Sequence, residues 1–372
     1  MWRMLSAAVL PERPGAFRLW LALIVVLHHL VGYEFGKVAV LVFFALSGFW
    51  TYRVWQSRYT LTRLPIITFI VSRWWRIAPM LIFVNLLSAA LLSAYNPSAL
   101  DQVFAHPARL IASSIFGLGY GSLPNRLVGA AWSIDIEMQF YILLPVLAFV
   151  TKRYASRAAA LASVGLMAGA FLLDLPGWWG TMLPFFFLGM CASQHQWKAS
   201  RRSAVIGASS ATLLVMLAIL SPWHSSLIDP GASGANAFGH FIALLLLPAA
   251  LASVSSTCPQ PAKACRRDTA AGDLSYIVYL MHGPLLLVAR DGPWGGGVQF
   301  AVAAVLMLAL LPICAWVAWH WVDRPLNRLR HEWVSSRHQA QLQSTRLFSS
   351  NKQSAAAGRP VQLSCPTTTA VS

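Results

Sequence analysis

The chain has 372 residues, of which 57% are hydrophobic and only 11% charged, where a soluble domain carries about 25% charged residues. Surface-to-volume scaling forbids burying so much apolar side chain in one water-exposed globule, so composition leaves an all-α polytopic membrane protein. The net charge of +16 then reads as basic loops against anionic lipid, with no nucleic-acid partner. The 16 tryptophans suit a chain with rings at bilayer interfaces.

Taken in chain order, apolar runs long enough to cross a bilayer fall at roughly 17–35, 38–54, 77–95, 131–150, 158–174, 180–195, 203–221, 238–256, 273–290 and 297–321, about ten transmembrane helices. Between the fifth and sixth, Pro176 and Gly177 leave little room for a turn. The Gly-containing segment at 108–121 is too short to cross and reads as interfacial or re-entrant. With this map, only Lys37, Arg109, Arg126 and Arg290 among the 28 Lys and Arg residues fall on the far side. That bias predicts both termini in the cytoplasm. Residues 1–330 read as one transmembrane domain and 331–372, polar and Ser/Gln-rich, as a disordered cytoplasmic tail. The first span lacks a small-residue cleavage site and reads as retained. Cys191, Cys258, Cys265, Cys314 and Cys365 show no metal-ligand spacing. No P-loop, GxGxxG or HExxH motif supports a nucleotide or metal site.

The first span, "RLWLALIVVLHHL", opens on Arg18 and carries His28 and His29 near its end. Eleven residues of helix turn through about 1100°, so Arg18 and His29 share a face to within about 20°, while His28 lies about 80° away. The rise between them is about 16 Å, which puts Arg18 at the inner surface and His29 near mid-bilayer. Taken singly, Arg18 fits a snorkelling flank residue and His29 a helix–helix hydrogen bond. Their shared face favours a joint role. In "RWWRIAP", Arg73 and Arg76 are three apart at the inner mouth of the third span, and three guanidiniums there suit a multiply anionic ligand. In "WSIDIE", Glu137 lies about 9 Å into the fourth span from outside, whereas Asp135 suits an ordinary first-turn acid. Ser275, Tyr279 and His282 form an i, i+4, i+7 stripe, with His282 just before a Gly-Pro break.

The order R-x10-H (Arg18, His29), "FFALSGF" (43–49), "RWWRIAP" (73–79), "WSIDIE" (132–137), "LSYIVYLMHGP" (274–284) and "DRP" (323–325) resembles acyltransferase family 3, the membrane O-acyltransferases of O-antigen, exopolysaccharide, Nod factor and macrolides. Ala16-Phe17 stands where the family often has Asp-Gly, and Asp323-Arg324-Pro325 where it has Glu-Arg-Pro. The resemblance implies transfer of an acetyl group from cytoplasmic acetyl-CoA to a hydroxyl on the outer side. The acceptor it implies is a sugar of a cell-surface polysaccharide or its lipid-linked precursor, in the bacterial inner membrane. On that basis Arg18, Arg73 and Arg76 are expected to hold the CoA phosphates, and His29 to act as general base. Glu137 is expected to orient His29, and Tyr279 and His282 to polarise the thioester. No metal is expected. Without an appended outer domain, the chain is expected to acylate its acceptor directly or through a separate partner. A proton-coupled transporter or glycolipid flippase would also place histidines and an acid at mid-depth, and a scaffold without chemistry is the third class. The one-sided arginines and the lack of a visible inverted repeat speak against the transporter, and ionisable groups at mid-depth would serve no purpose in a scaffold.

Overall fold

The computed structural model describes residues 10–31, 35–154, 157–173, 178–229, 234–255, 262–291 and 298–356. Every helix or strand among them is helical. Leaving aside helical pieces of three or four residues, the helices in chain order are α1 (Pro14–Val31), α2 (Gly36–Ser57), α3 (Pro65–Tyr95), α4 (Pro97–Val103), α5 (Pro107–Phe116), α6 (Trp132–Tyr154), α7 (Arg157–Leu172), α8 (Leu183–Gln194), α9 (Arg201–Leu220), α10 (Ala235–Ser255), α11 (Ala262–Asp291), α12 (Val298–Ala318) and α13 (Arg324–Ala356). A π-helical turn at Trp319–Asp323 joins the last two.

Among the described residues, seven helices are long and apolar enough to cross a membrane. They are α2, α3, α6, α9, α10, α11 and the stretch from α12 into α13. Helices α1, α7 and α8 are apolar but shorter, at the positions of the other three expected spans. Pro176 and Gly177 lie outside the described residues, as do Cys258 and Cys365. Helix α5, with ten residues, is about 15 Å long and too short to cross.

The most buried of these helices is α2, with 72% of its apolar window inside the protein against 22% for α9. Close approach explains how α2 sits at the centre. A Cβ on Gly48 would lie 2.1 Å from the Phe186 carbonyl oxygen, and one on Gly189 would lie 1.9 Å from that of Ala45. The two glycines therefore let α2 and α8 touch backbone to backbone, the usual solution where helices pack without a hydrophobic driving force. Phe186 then stacks between Phe44 and Phe140, with centroids 4.5 and 4.0 Å away.

Helices α1 and α11 pack side by side and run in the same direction. At one end Asp268 accepts hydrogen bonds from the N–H groups of Gly15 and Ala16, at 3.1 and 3.0 Å. A carboxylate from another helix thus caps the start of α1, where orphan donors and the positive end of the helix dipole both favour it.

Two expectations change. The third helix begins at Pro65 and not near 77, so Arg73 and Arg76 lie about two and three turns inside it. Proline at its first position and an uninterrupted apolar run let the helix start early. The tail expected to be coil from 331 continues instead as helix to Ala356, and residues 357–372 lie outside the described residues. No Gly or Pro interrupts it after Pro325. It also docks: Arg330 donates to Ser72 at 3.2 Å, Arg58 donates to Ser335, and Trp333 packs on Trp75. Polar composition hid a stripe at helical spacing, in which Arg330 and Val334 are buried.

Candidate active site

A cavity of about 130 Å³ opens among α1, α2, α3, α6 and α11, with Arg18, Arg73, Glu137, Tyr141, Tyr276 and Tyr279 on its walls. That volume is well below the ~300–1,000 Å³ of a typical small-molecule pocket, so it admits a slender chain or a few waters.

Arg18 comes from the second turn of α1, just beyond the Asp268 cap. Arg73 comes from α3, and its guanidinium carbon lies 5.7, 5.4 and 5.7 Å from the ring centroids of Tyr59, Phe69 and Tyr141. This aromatic box holds a cation by its faces and leaves the hydrogen-bonding edge uncommitted; Nε makes no hydrogen bond. Neither arginine is ion-paired among the described residues. Two such cations at one cavity are a ready site for an anion.

Arg76 differs. Its guanidinium donates to Asp323 at 2.5 Å and to Asp273 at 3.0 Å, and its face lies over Tyr276. Asp323 is also bonded by Asn327, which in turn accepts from Arg330. The fork expected to bind CoA phosphates is filled by two carboxylates, and the residue clasps α3 to α11 and to the turn before α13. Sequence reasoning passed over both aspartates as partners, although each stands within or beside a quoted motif, Asp323 in "DRP" and Asp273 just before "LSYIVYLMHGP".

Glu137 accepts hydrogen bonds from Ser47 at 2.7 Å and from Tyr141 at 2.5 Å. It shares the cavity with Arg18 and Arg73, and neither hydrogen bond goes to His29. The expected acid–histidine pair is thus replaced by an acid on the arginine cavity. Asp135 is in the first turn of α6 as expected, and it is buried and accepts from the N–H groups of Gly119 and Gly121.

His29 and His282 are brought together. Their rings stack with centroids 5.0 Å apart and planes inclined by 24°. His282 is buried and its Nδ1 makes no hydrogen bond, whereas His29 lies in the last turn of α1 and is exposed. His29 is therefore near the end of its helix, because α1 stops at Val31. His28 lies against His29 at 4.5 Å, on the side where it meets Gly36. Tyr279 joins the two regions: it lines the cavity and meets His282 edge-on at 6.0 Å. Its hydroxyl donates to the Ala130 carbonyl at 2.8 Å and contacts Ser133 at 2.7 Å, so its proton is already committed. From Tyr276 to His282 the rise along α11 is about 9 Å.

The family model described as an acyltransferase domain matches residues 14–320, which include the cavity and both histidines. This chain belongs to acyltransferase family 3. The match begins at the first residue of α1 and ends within the π-turn, so the fold described above is the family's unit here. The chain has no match among curated proteins or solved structures. Membership makes the protein a membrane acyltransferase and favours an enzyme over a transporter. Among the described residues, no group of three His, Cys, Asp or Glu side chains is placed to hold a metal.

Proposed function

We propose that this family-3 acyltransferase moves an acetyl group from acetyl-CoA to a sugar hydroxyl of a surface polysaccharide or its lipid-linked precursor. The observation that supports the reading is that Tyr279 lines the Arg18–Arg73 cavity and also meets His282, which stacks on His29. CoA phosphates would meet the two unpaired arginines, and the pantetheine arm would follow the length of α1. The sugar hydroxyl then attacks the thioester carbonyl while a neutral imidazole takes its proton. The carbon–sulfur bond breaks, and CoA leaves as the thiol after receiving that proton. An acyl-histidine relay would use the same groups. In this reading His29 touches the reacting atoms and His282 supports it. Arg76 acts as a positioning residue.

Ten spans, with both termini on the cytoplasmic side of a bacterial inner membrane, complete the proposal. The bias of basic residues supports that orientation. It makes the Arg18 end the donor side and the His29 end the acceptor side. Purified protein in liposomes with labelled acetyl-CoA tests the activity: free CoA should appear only with protein and acceptor present. Loss of base-labile acetate from the surface polysaccharide of a deletion strain tests the acceptor class. A strain with unchanged polysaccharide acetate would overturn that class.

A further inference from the structure

A second cavity, of about 530 Å³, lies on the other side of α6 from the arginine cavity. It is within the ~300–1,000 Å³ of small-molecule sites. Trp132, Asp135 and Gln139, at i, i+3 and i+7, form its wall on α6, while Ser133, Glu137 and Tyr141 on the opposite side of the same helix line the first cavity. One helix thus separates two clefts.

The chemistry of this cleft differs from that of the first. Trp132 offers a partly exposed indole, Gln139 an amide and Ser122 a hydroxyl. Lys37 and Arg126 bring two cations. The buried Asp135 carboxylate offsets one of the two charges, while its oxygens are taken up by Gly119 N–H, Gly121 N–H and the Gln139 amide, at 2.9, 2.8 and 2.9 Å, so the cleft keeps a net positive charge. Gly119 reaches this position with φ +76°, which a side chain would resist. Arg126 is held by the Gly121 and Leu123 carbonyls, so its guanidinium is set in place before any ligand arrives. Lys37 donates to Asn236. In the orientation proposed above, only four basic residues fall on the side opposite the basic loops, and two of the four meet in this one cleft. Membrane topology disfavours cations there, so their convergence calls for a ligand.

One wall residue of the cleft, Lys37, leads along α2 toward the histidines. Lys37 follows Gly36, against which His28 packs, and His28 lies on His29. We infer that this cleft binds the acyl acceptor as an anionic glycoconjugate, its sugar on the Trp132 face and its carboxylate or phosphate between Lys37 and Arg126. The inference rests on the function proposed above.

The test is equilibrium binding of three radiolabelled probes to the full chain in lipid nanodiscs: hexyl glucoside, hexyl glucuronide and hexyl glucoside 6-phosphate. One or both anionic probes should bind about tenfold tighter than the neutral one. Preference for the glucuronide assigns the charge to an acidic sugar, and preference for the phosphate to a phosphorylated sugar or carrier. The Lys37→Gln, Arg126→Gln double variant should abolish the preference while still binding acetyl-CoA, which reports its folding. If that variant misfolds, Lys37→Gln alone should weaken the preferred probe about threefold. Absence of any charge preference would overturn the inference, as would a preference that survives in the variants. Equal competition by dihexanoyl phosphatidylglycerol would also overturn it, since the cleft would then be an ordinary lipid-phosphate site. A wild-type protein that binds the anionic probes but releases no CoA from acetyl-CoA would count against the proposed function alone.

Discussion

His29 and His282 stack at 5.0 Å, and fourteen residues before each of them in the chain Gly15 and Asp268 are hydrogen-bonded to one another. Two parallel helices are thus pinned at both ends of a stretch of about 21 Å, with equal spacing on each. The cap sets the height of α1 against α11, and that height decides whether the imidazoles meet.

The histidine pair gives the first prediction. His29→Ala should cut acyl transfer by about a hundred- to ten-thousandfold in a folded protein. His28→Ala should retain a substantial fraction, because His28 packs on Gly36 beside the pair. Release of labelled CoA measures both. If the phenotypes are reversed, the assignment of His29 as base is wrong.

Arginine chemistry gives the second. Arg73→Lys keeps the charge but loses the planar face held among Tyr59, Phe69 and Tyr141. Acetyl-CoA affinity should fall about tenfold in Arg73→Lys and further in the Arg18→Ala, Arg73→Ala double variant. Equilibrium binding checks this, and unchanged affinity in the double variant would remove the anion site.

Stability should expose the different task of Arg76. Arg76→Ala leaves Asp323, which is 5% exposed, without its cation, a loss of about 3–5 kcal/mol for a buried pair. Thermal unfolding in detergent should show a lowered midpoint. Asp273→Asn should cost less, since that carboxylate is about a third exposed. If Arg76→Ala unfolds like wild type and loses only acetyl-CoA affinity, the fork belongs to the ligand after all.

Helix contact gives a fourth. Gly48→Ala and Gly189→Ala each drive a methyl into a backbone carbonyl and should sharply reduce the yield of folded protein. Gly165→Ala and Gly169→Ala meet nothing within 4 Å, and each should be neutral or stabilising by about 0.5–1 kcal/mol. Size-exclusion profiles of the four variants, expressed side by side, decide between these outcomes.

Much of this was legible in the residues themselves. Apolar runs and scarce charge determined a helical membrane protein, because a bilayer leaves few ways to satisfy a backbone, and the motif order from Arg18 to Asp323 determined the family. Helical phase linked Arg18 to His29 on one face, since 3.6 residues per turn is a local property. Partnerships between helices were not local. That Arg76 faces two aspartates while Arg73 sits in an aromatic box depends on how α3 rotates against α11 and α13, which no spacing along α3 records. Glu137 met Ser47 and not a histidine for the same reason: α2 and α6 approach through contacts ninety residues apart, whereas its bond from Tyr141, four residues on, is local to α6. The docked helix α13 was hidden because polar composition resembles a solvated tail until a partner surface buries its stripe. Local periodicity sets what each helix is, and only packing among helices decides which charges meet.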